Sequence, residues 1–272
     1  SARALYRNLS DLGVGLEPKP FAVGFRIEHP QALINEIQYG HYAHTLPVPA
    51  ADYRSTFQSG SGKMRTDVYS FCMCPGGSVV PTGTKEGEVC VNGMSHAARS
   101  GHYANSAVVV QLKACDLPTD GDPLFRGIRL QEQIEAKAWT LGGGAFQAPA
   151  ANLLDYLQAQ ASTDVRRTTY KRGVTPANLD QCYSQEINDQ LRAGLQHFDK
   201  RLRGFVSKDA VLIGVETRTS SPIRIVRDGS LRSPTHPFLY PAGEGAGYAG
   251  GIASAAADGF RVARQILEHG SR

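Results

Sequence analysis

No apolar run in this sequence approaches the roughly 20 residues that a helix needs to cross a bilayer, and no basic stretch leading into an apolar one opens it. Neither a membrane partner nor a secretory signal is therefore expected. Cysteine is scarce and odd in number. Cys72, Cys74, Cys90, Cys115 and Cys182 form no regular framework, which argues against a disulfide scaffold and fits a reducing, cytoplasmic setting. Cys72-Met73-Cys74 has no second Cys/His pair nearby, so it reads better as small sulfur residues in a buried strand than as a metal or redox site. The 8 histidines show no H-x-H or H-x-x-x-H pattern with carboxylates, which leaves a metal-dependent hydrolase little support, and no metal is expected. The 29 basic residues give a net charge of only +4 and are scattered, apart from Arg166/Arg167, Lys171/Arg172 and Lys200 to Arg203. Without a dense basic stripe interleaved with aromatics, no nucleic-acid partner is expected.

What is present describes a globular protein: 272 residues, 41% hydrophobic and 20% charged, near the upper limit for a single core. Ser1 to Leu12 reads as a helix, with Leu5, Leu9 and Leu12 at intervals of three and four. No Met precedes Ser1, so the chain is expected to be a piece of a longer one. Past Pro18 and Pro20, Phe21 to Glu28 has the alternation of a strand, Pro30 to Tyr39 reads as a short helix with proline in its first turn, and Gly40 to Gly62 as a loop-rich connection. Strands follow at Arg65 to Met73 and Ser78 to Pro81, joined through Pro75-Gly76-Gly77, then at Glu88 to Asn92. Ala107 to Leu112, with Val108-Val109-Val110 at its centre, has the continuous apolar character of a strand buried on both faces.

The middle of the chain turns helical. Asp122 to Leu141, stopped by Gly142-Gly143-Gly144, is followed by helix candidates at Ala150 to Ala161 and Gln185 to Phe198, with a polar loop at Thr163 to Ala177 between them. Strand character returns at Val211 to Thr219 and Ile223 to Val226. The fold class is thus α+β, a mixed β region with an all-helical insertion at about residues 122–200.

The segment richest in chemistry begins at Phe238-Leu-Tyr as a short apolar strand, passes Gly243-Glu244-Gly245, and enters a small-residue helix at about Gly250. Glycines at a strand-to-helix turn let the backbone approach a ligand closely, and the free amides of a helix start favour negative charge. A carboxylate placed there can accept hydrogen bonds from ribityl hydroxyls. Amides at Gly250, Gly251 and Ile252 can face the pyrimidine end of an isoalloxazine and stabilise its anionic reduced form. A helix that uses Ala and Gly to lie close to a sheet produces the same composition, and a single glycine cluster does not separate the two.

Tyr-Pro-Ala-Gly-Glu-Gly-Ala-Gly-Tyr-Ala-Gly-Gly-Ile, Tyr240 to Ile252, closely resembles the last FAD-contacting motif of the two-dinucleotide-binding-domain flavoproteins, specifically the bacterial family of uncharacterised FAD-dependent dehydrogenases. Pro18 to His29, Tyr69 to Val80, Val91 to Ser106 and Gly214 to Pro222 are similar to further landmarks of that family, in the same order and across nearly the whole chain. The resemblance implies FAD as cofactor of the full-length protein, with Gly243, Glu244, Gly245, Ala246, Gly250, Gly251 and Ile252 as its contacts here. It also implies that residues 1–20 end a Rossmann-like FAD domain, 21–237 form an inserted substrate domain, and 238–272 return to the FAD domain. Family members begin with a strand, a G-x-G-x-x-G turn and a helix that hold the FAD diphosphate. No such run opens this chain, so the resemblance implies a C-terminal part that lacks this N-terminal segment and partners it.

Two further residues are candidates for chemistry. Arg218, in Glu216-Thr-Arg-Thr-Ser-Ser-Pro, offers a planar two-pronged donor for an anionic substrate or the flavin edge, and an ion pair with Glu216 on the same strand face is the competing explanation. His29, following Arg26 and Glu28 on a shared strand rhythm, could serve as a general acid or base, though a histidine before proline more often caps a strand. The Cys72/Cys74 pair could exchange electrons with a flavin, but one intervening residue makes an awkward disulfide ring. Two functions remain in competition: an FAD-dependent oxidoreductase acting on an organic substrate, and a non-catalytic binding or structural module that holds no FAD by itself.

Overall fold

In the computed structural model, residues 3–60, 66–83, 85–113 and 116–270 are described; Cys115 and the outer ends of the elements expected from Ser1, at Gly62 and from Arg65 lie outside them. The helices are α1 (Arg3–Asp11), α2 (Gln31–Tyr39), α3 (Tyr42–Thr45), α4 (Arg126–Gly142), α5 (Leu153–Leu157), α6 (Gln185–Arg201) and α7 (Ile252–Gly270). The strands are β1 (Leu16–Pro18), β2 (Phe21–Pro30), β3 (Thr56–Ser59), β4 (Thr66–Cys74), β5 (Gly77–Pro81), β6 (Val91–Ser95), β7 (Tyr103–Leu112), β8 (Ala148–Asn152), β9 (Val174–Pro176), β10 (Val211–Glu216) and β11 (Ile223–Ile225). This is an α+β fold, and the chain divides into two compact units: 1–22, 112–131 and 218–272 form the first, 23–111 and 132–217 the second.

The second unit is built on a seven-stranded sheet in the order β3-β4-β7-β2-β10-β8-β9, with β8 and β9 parallel and the pairs β3/β4, β4/β7, β2/β10 and β8/β10 antiparallel. The continuous apolar runs of β7 and β10 are explained by position: both are central, and Ala104 to Val110 and Val211 to Glu216 are buried without alternation, as in a sheet covered on both faces. One cover is α6. Ser184 caps it by accepting the Ile187 N–H, and Leu191, Leu195 and Phe198 form its buried stripe at intervals of four and three. Gly194 lets this helix approach β4 closely, since a Cβ there would stand 2.4 Å from Val68 Cγ1.

Three expectations are corrected here. The stretch 122–200 is not all-helical, because β8 and β9 lie within it and complete the sheet. Ala148-Pro-Ala-Ala-Asn has little strand propensity, and its pairing with β10 and β9 overrides the helical preference of alanine. The third strand of the middle region starts at Val91 rather than Glu88 and forms a two-stranded hairpin with β5. In β4 a register shift between Phe71 and Cys74, with Cys72 at φ 45°, turns Cys72 to solvent while Cys74 is buried, so the two thiols do not share a buried face.

The first unit is held by a smaller core of Tyr6, Val14, Ile128, Ile223, Ile225 and Ala246. β1 and β11 pair antiparallel, Glu17 opposite Arg224, and their charged side chains meet at 2.9 Å. The apolar stretch Phe238-Leu-Tyr, expected as a strand, forms turns instead, and Phe238 is 98% exposed; a strand needs a partner edge, and this stretch has none in the described sheets. Helix α7 buries only Asp258 and Val262 among its described side chains.

Candidate functional site

In the first unit, the turn from Gly243 to Gly251 leads from the loop after β11 into α7, which begins at Ile252 rather than at Gly250. The turn closes on itself through hydrogen bonds from Gly247 N to Glu244 O (2.9 Å) and Tyr248 N to Gly243 O (3.0 Å). It lies against β11, where Ile225 N donates to Ala246 O at 3.1 Å. Gly247 is required by this contact: its φ is 86°, and a Cβ would stand 2.9 Å from the Ile223 carbonyl oxygen. From the other side the Tyr6 hydroxyl lies 2.7 Å from both Gly245 O and Ser221 Oγ. Burial raises the Tyr6 pKa, so the phenol stays protonated as a donor.

A second clamp fixes the start of the turn to α7. The Arg227 guanidinium donates in parallel to Asp258 Oδ2 (2.9 Å) and Oδ1 (2.7 Å), and Gly243 N donates to the same Oδ2 at 2.9 Å. Arg227 also donates to Pro241 O at 2.8 Å and stacks 3.6 Å from the centroid of the Tyr248 ring. The hydrogen bonds from Arg227 hold the Asp258 carboxyl below its usual pKa.

The seven residues expected to contact a cofactor all lie on this turn or at the first residue of α7, but in unequal roles. Glu244 is exposed; its Oε1 accepts the Ser221 N–H at 3.1 Å, and among the described residues its Oε2 accepts nothing. Nearby Lys19 donates to Ser220 Oγ at 3.5 Å; its pKa is lowered, mainly by burial and then by Arg224, with Glu244 opposing. No atom stands within 4 Å of where a Cβ would sit on Gly245 or Gly250, so both open onto free space. The N–H groups of Gly250 and Ile252 donate to no acceptor among the described residues, the ordinary condition of a helix start without a ligand or cap. The Gly251 N–H, by contrast, is taken by Ser254 Oγ at 3.1 Å, and the Ala246 side chain is directed into the core.

These features fit a flavin: a carboxylate with one oxygen unused, two unused amides at a helix start, and glycines that leave room. Gly245, Gly247 and Gly250 also fall at G-x-G-x-x-G spacing. Without a strand ahead of them, that spacing does not make a dinucleotide turn. Sequence reasoning missed the supports Tyr6, Arg227 and Asp258, although a lone acid in Ala-Ala-Ala-Asp-Gly-Phe was the available signal.

The two other candidates lie elsewhere. Arg218 is half-buried in the first unit. The Glu216 carboxylate instead receives Arg26 Nη1 at 3.1 and 3.0 Å, within the second unit, because β10 and β2 are neighbours. His29 is fully buried in that unit, its Nε2 2.8 Å from Phe205 O and its ring 4.6 Å from the Phe205 ring, and its Nδ1 has no partner among the described residues. Burial lowers its pKa to about 4, so the imidazole is neutral at pH 7 and closed off from solvent. Among the described residues, no group of three His, Cys, Asp or Glu could hold a metal ion, and no helix is long and apolar enough to cross a membrane.

Comparison with known proteins places residues 20–219 in the family described as FAD-dependent protein, C-terminal domain-like. An uncharacterized protein of Clostridium beijerinckii is 44% identical over 270 residues, which is 98% of this chain and 50% of that relative. The chain therefore spans half the length of the relative it matches.

Proposed function

The chain belongs to the FAD-dependent protein, C-terminal domain-like family, and from that premise we propose that it forms the flavin-closing and substrate-holding part of an FAD-dependent oxidoreductase, a dehydrogenase of an organic substrate. The observation that carries this reading is the Gly243 to Ile252 turn, clamped on both sides, with Gly245 and Gly250 facing open space and with Glu244 Oε2 and the Gly250 and Ile252 N–H groups unused among the described residues. In this reading Glu244 accepts hydroxyls of the ribityl chain. The N–H groups of Gly250 and Ile252 donate to the pyrimidine end of the ring, where the helix start favours the negative charge of the reduced state. Gly243 and Gly245 keep side chains out of the way, and Ala246 serves by anchoring the turn. When bound, FAD supplies the electron and hydride transfer. Half of the Clostridium beijerinckii relative lies outside the match, and in this reading a segment of that kind grips the FAD diphosphate and covers the exposed Ile252 and Phe260 of α7.

The same surface supports a second reading for the chain by itself. With α7 presenting Phe260 at 80% and Leu267 at 71% exposure, the isolated chain behaves as a docking module that retains little FAD. Titration of FAD into the purified chain, followed by flavin fluorescence, measures this, and the full-length protein provides the test of the main reading. There, Glu244→Ala weakens flavin retention about tenfold, the effect of losing one or two hydrogen bonds to a charged group. Unchanged flavin occupancy after gel filtration rejects the role assigned to Glu244.

A further inference from the structure

The second unit contains a groove of about 1100 Å³, slightly larger than most small-molecule sites. Its walls come from the start of the β5/β6 hairpin, from the segment entering β7, and from the loop between α5 and β9. Arg167, Lys171, His96 and His102 line it together with the hydroxyl-bearing Ser78 and Thr168, and none of its described lining residues is acidic. Neither Arg167 nor Lys171 has an ion-pair partner among the described residues.

The loop that carries these two cations is pinned from below. Glu28 on β2 is fully buried, and its carboxylate accepts the Thr169 N–H at 3.2 and 3.3 Å, the Thr169 hydroxyl, and Arg166 Nη1 at 3.1 Å. Arg166 also donates to Glu28 O (2.8 Å) and Asp209 O (2.6 Å) and stacks 4.6 Å from the Tyr103 ring. Val79 N donates to Thr169 Oγ1 at 2.8 Å, which ties the loop to β5, and the buried Tyr170 donates to Phe146 O at 2.8 Å. The opposite wall is equally fixed: Gly76 N donates to Gln31 Oε1 at 2.7 Å, and a Cβ on Gly76 would stand 2.0 Å from Arg99 O.

Of the four cations on this loop, then, Arg166 is neutralised by a buried carboxylate and Arg172 does not line the groove, while Arg167 and Lys171 are held over a groove whose described lining residues include no carboxylate. Two uncompensated charges on a backbone already ordered are arranged to bind negative charge at low entropic cost. We infer that this groove binds a small organic anion, carrying phosphate or carboxylate groups, through Arg167 and Lys171, with His96 and His102 as further donors. The assignment is independent of the flavin reading, since it uses the second unit alone.

Titration calorimetry of the purified chain with pyrophosphate, inorganic phosphate and succinate tests it. At least one of these binds saturably, and the stronger binder identifies the anionic group. The double variant Arg167→Ala/Lys171→Ala weakens that binding about tenfold or more, the loss expected from two charge-assisted contacts. Its thermal midpoint stays unchanged, because both side chains are exposed. Lys208→Ala, an exposed lysine outside the groove, leaves the affinity unaltered. Absence of saturable binding by all three anions overturns the inference, as does equal affinity in the double variant or equal weakening by Lys208→Ala.

Discussion

Two buried arginines mark the contrast between the sheet and the C-terminal turn. In the sheet, Arg26 spends its donors on its surroundings: Glu216, Asn105 Oδ1 at 2.8 Å, Cys72 O at 2.6 Å and the Cys74 thiol at 3.3 Å, with Gly93 leaving the room it occupies. In the turn, Arg227 and Asp258 hold a frame whose outer groups, Glu244 Oε2 and the Gly250 and Ile252 amides, remain unspent. A charge satisfied internally fixes a fold, whereas polar groups held in place and left open are available to a ligand.

The largest effect that sharpens this contrast comes from the sheet. Arg26→Ala strands a buried carboxylate and costs about 3–5 kcal/mol in urea unfolding. Pairing Arg26→Met with Glu216→Leu removes both charges and recovers much of that loss; a double variant as unstable as the single one breaks the argument. Next is the acid response of His29. Its folded pKa of about 4 lies below its unfolded value of 6.5, so the stabilising effect of keeping it neutral is complete above pH 6.5 and is lost as pH falls toward 4. One proton over that interval amounts to about 3 kcal/mol. Denaturation curves between pH 7 and 4 should show this slope in the wild type and a flatter one in His29→Gln.

Asp258→Ala releases the clamp on the turn and lowers stability by about 2 kcal/mol, since it removes two charge-assisted bonds and the Gly243 contact. The smallest effect on stability belongs to Glu244→Ala, within about 0.5 kcal/mol, as for an exposed side chain outside the packed core. If Glu244→Ala proves as destabilising as Asp258→Ala, Glu244 is a structural support and the distinction between frame and open groups disappears.

Much of the sheet was legible because its signals are local and strong. Val108-Val109-Val110 and Val211 to Ile213 announce buried strands, and Ser184 with the stripe Leu191, Leu195, Phe198 announces α6. Failures came where partners decide. Ala148 to Asn152 is a strand through β10 and β9, and Phe238 to Tyr240 is not one for want of a neighbour. At the site, the glycines and Glu244 stood out by composition, but their clamp required Tyr6 and Arg227, remote in sequence from the turn. The pairing of Glu216 with Arg26 was not legible, because strand periodicity relates residues two apart, such as Glu216 and Arg218, and carries no information about the strand alongside.

The order of amino acids alone determined the α+β class, most of the buried strands, and a glycine turn leading into the last helix, because periodicity and backbone freedom are properties of neighbouring residues. Which charges are consumed and which stay open, Arg26 and Arg166 against Arg167 and Lys171, was fixed only when distant segments packed together. Compensation of a charge depends on what lies within a few ångströms of it in space, and that distance has no counterpart along the chain.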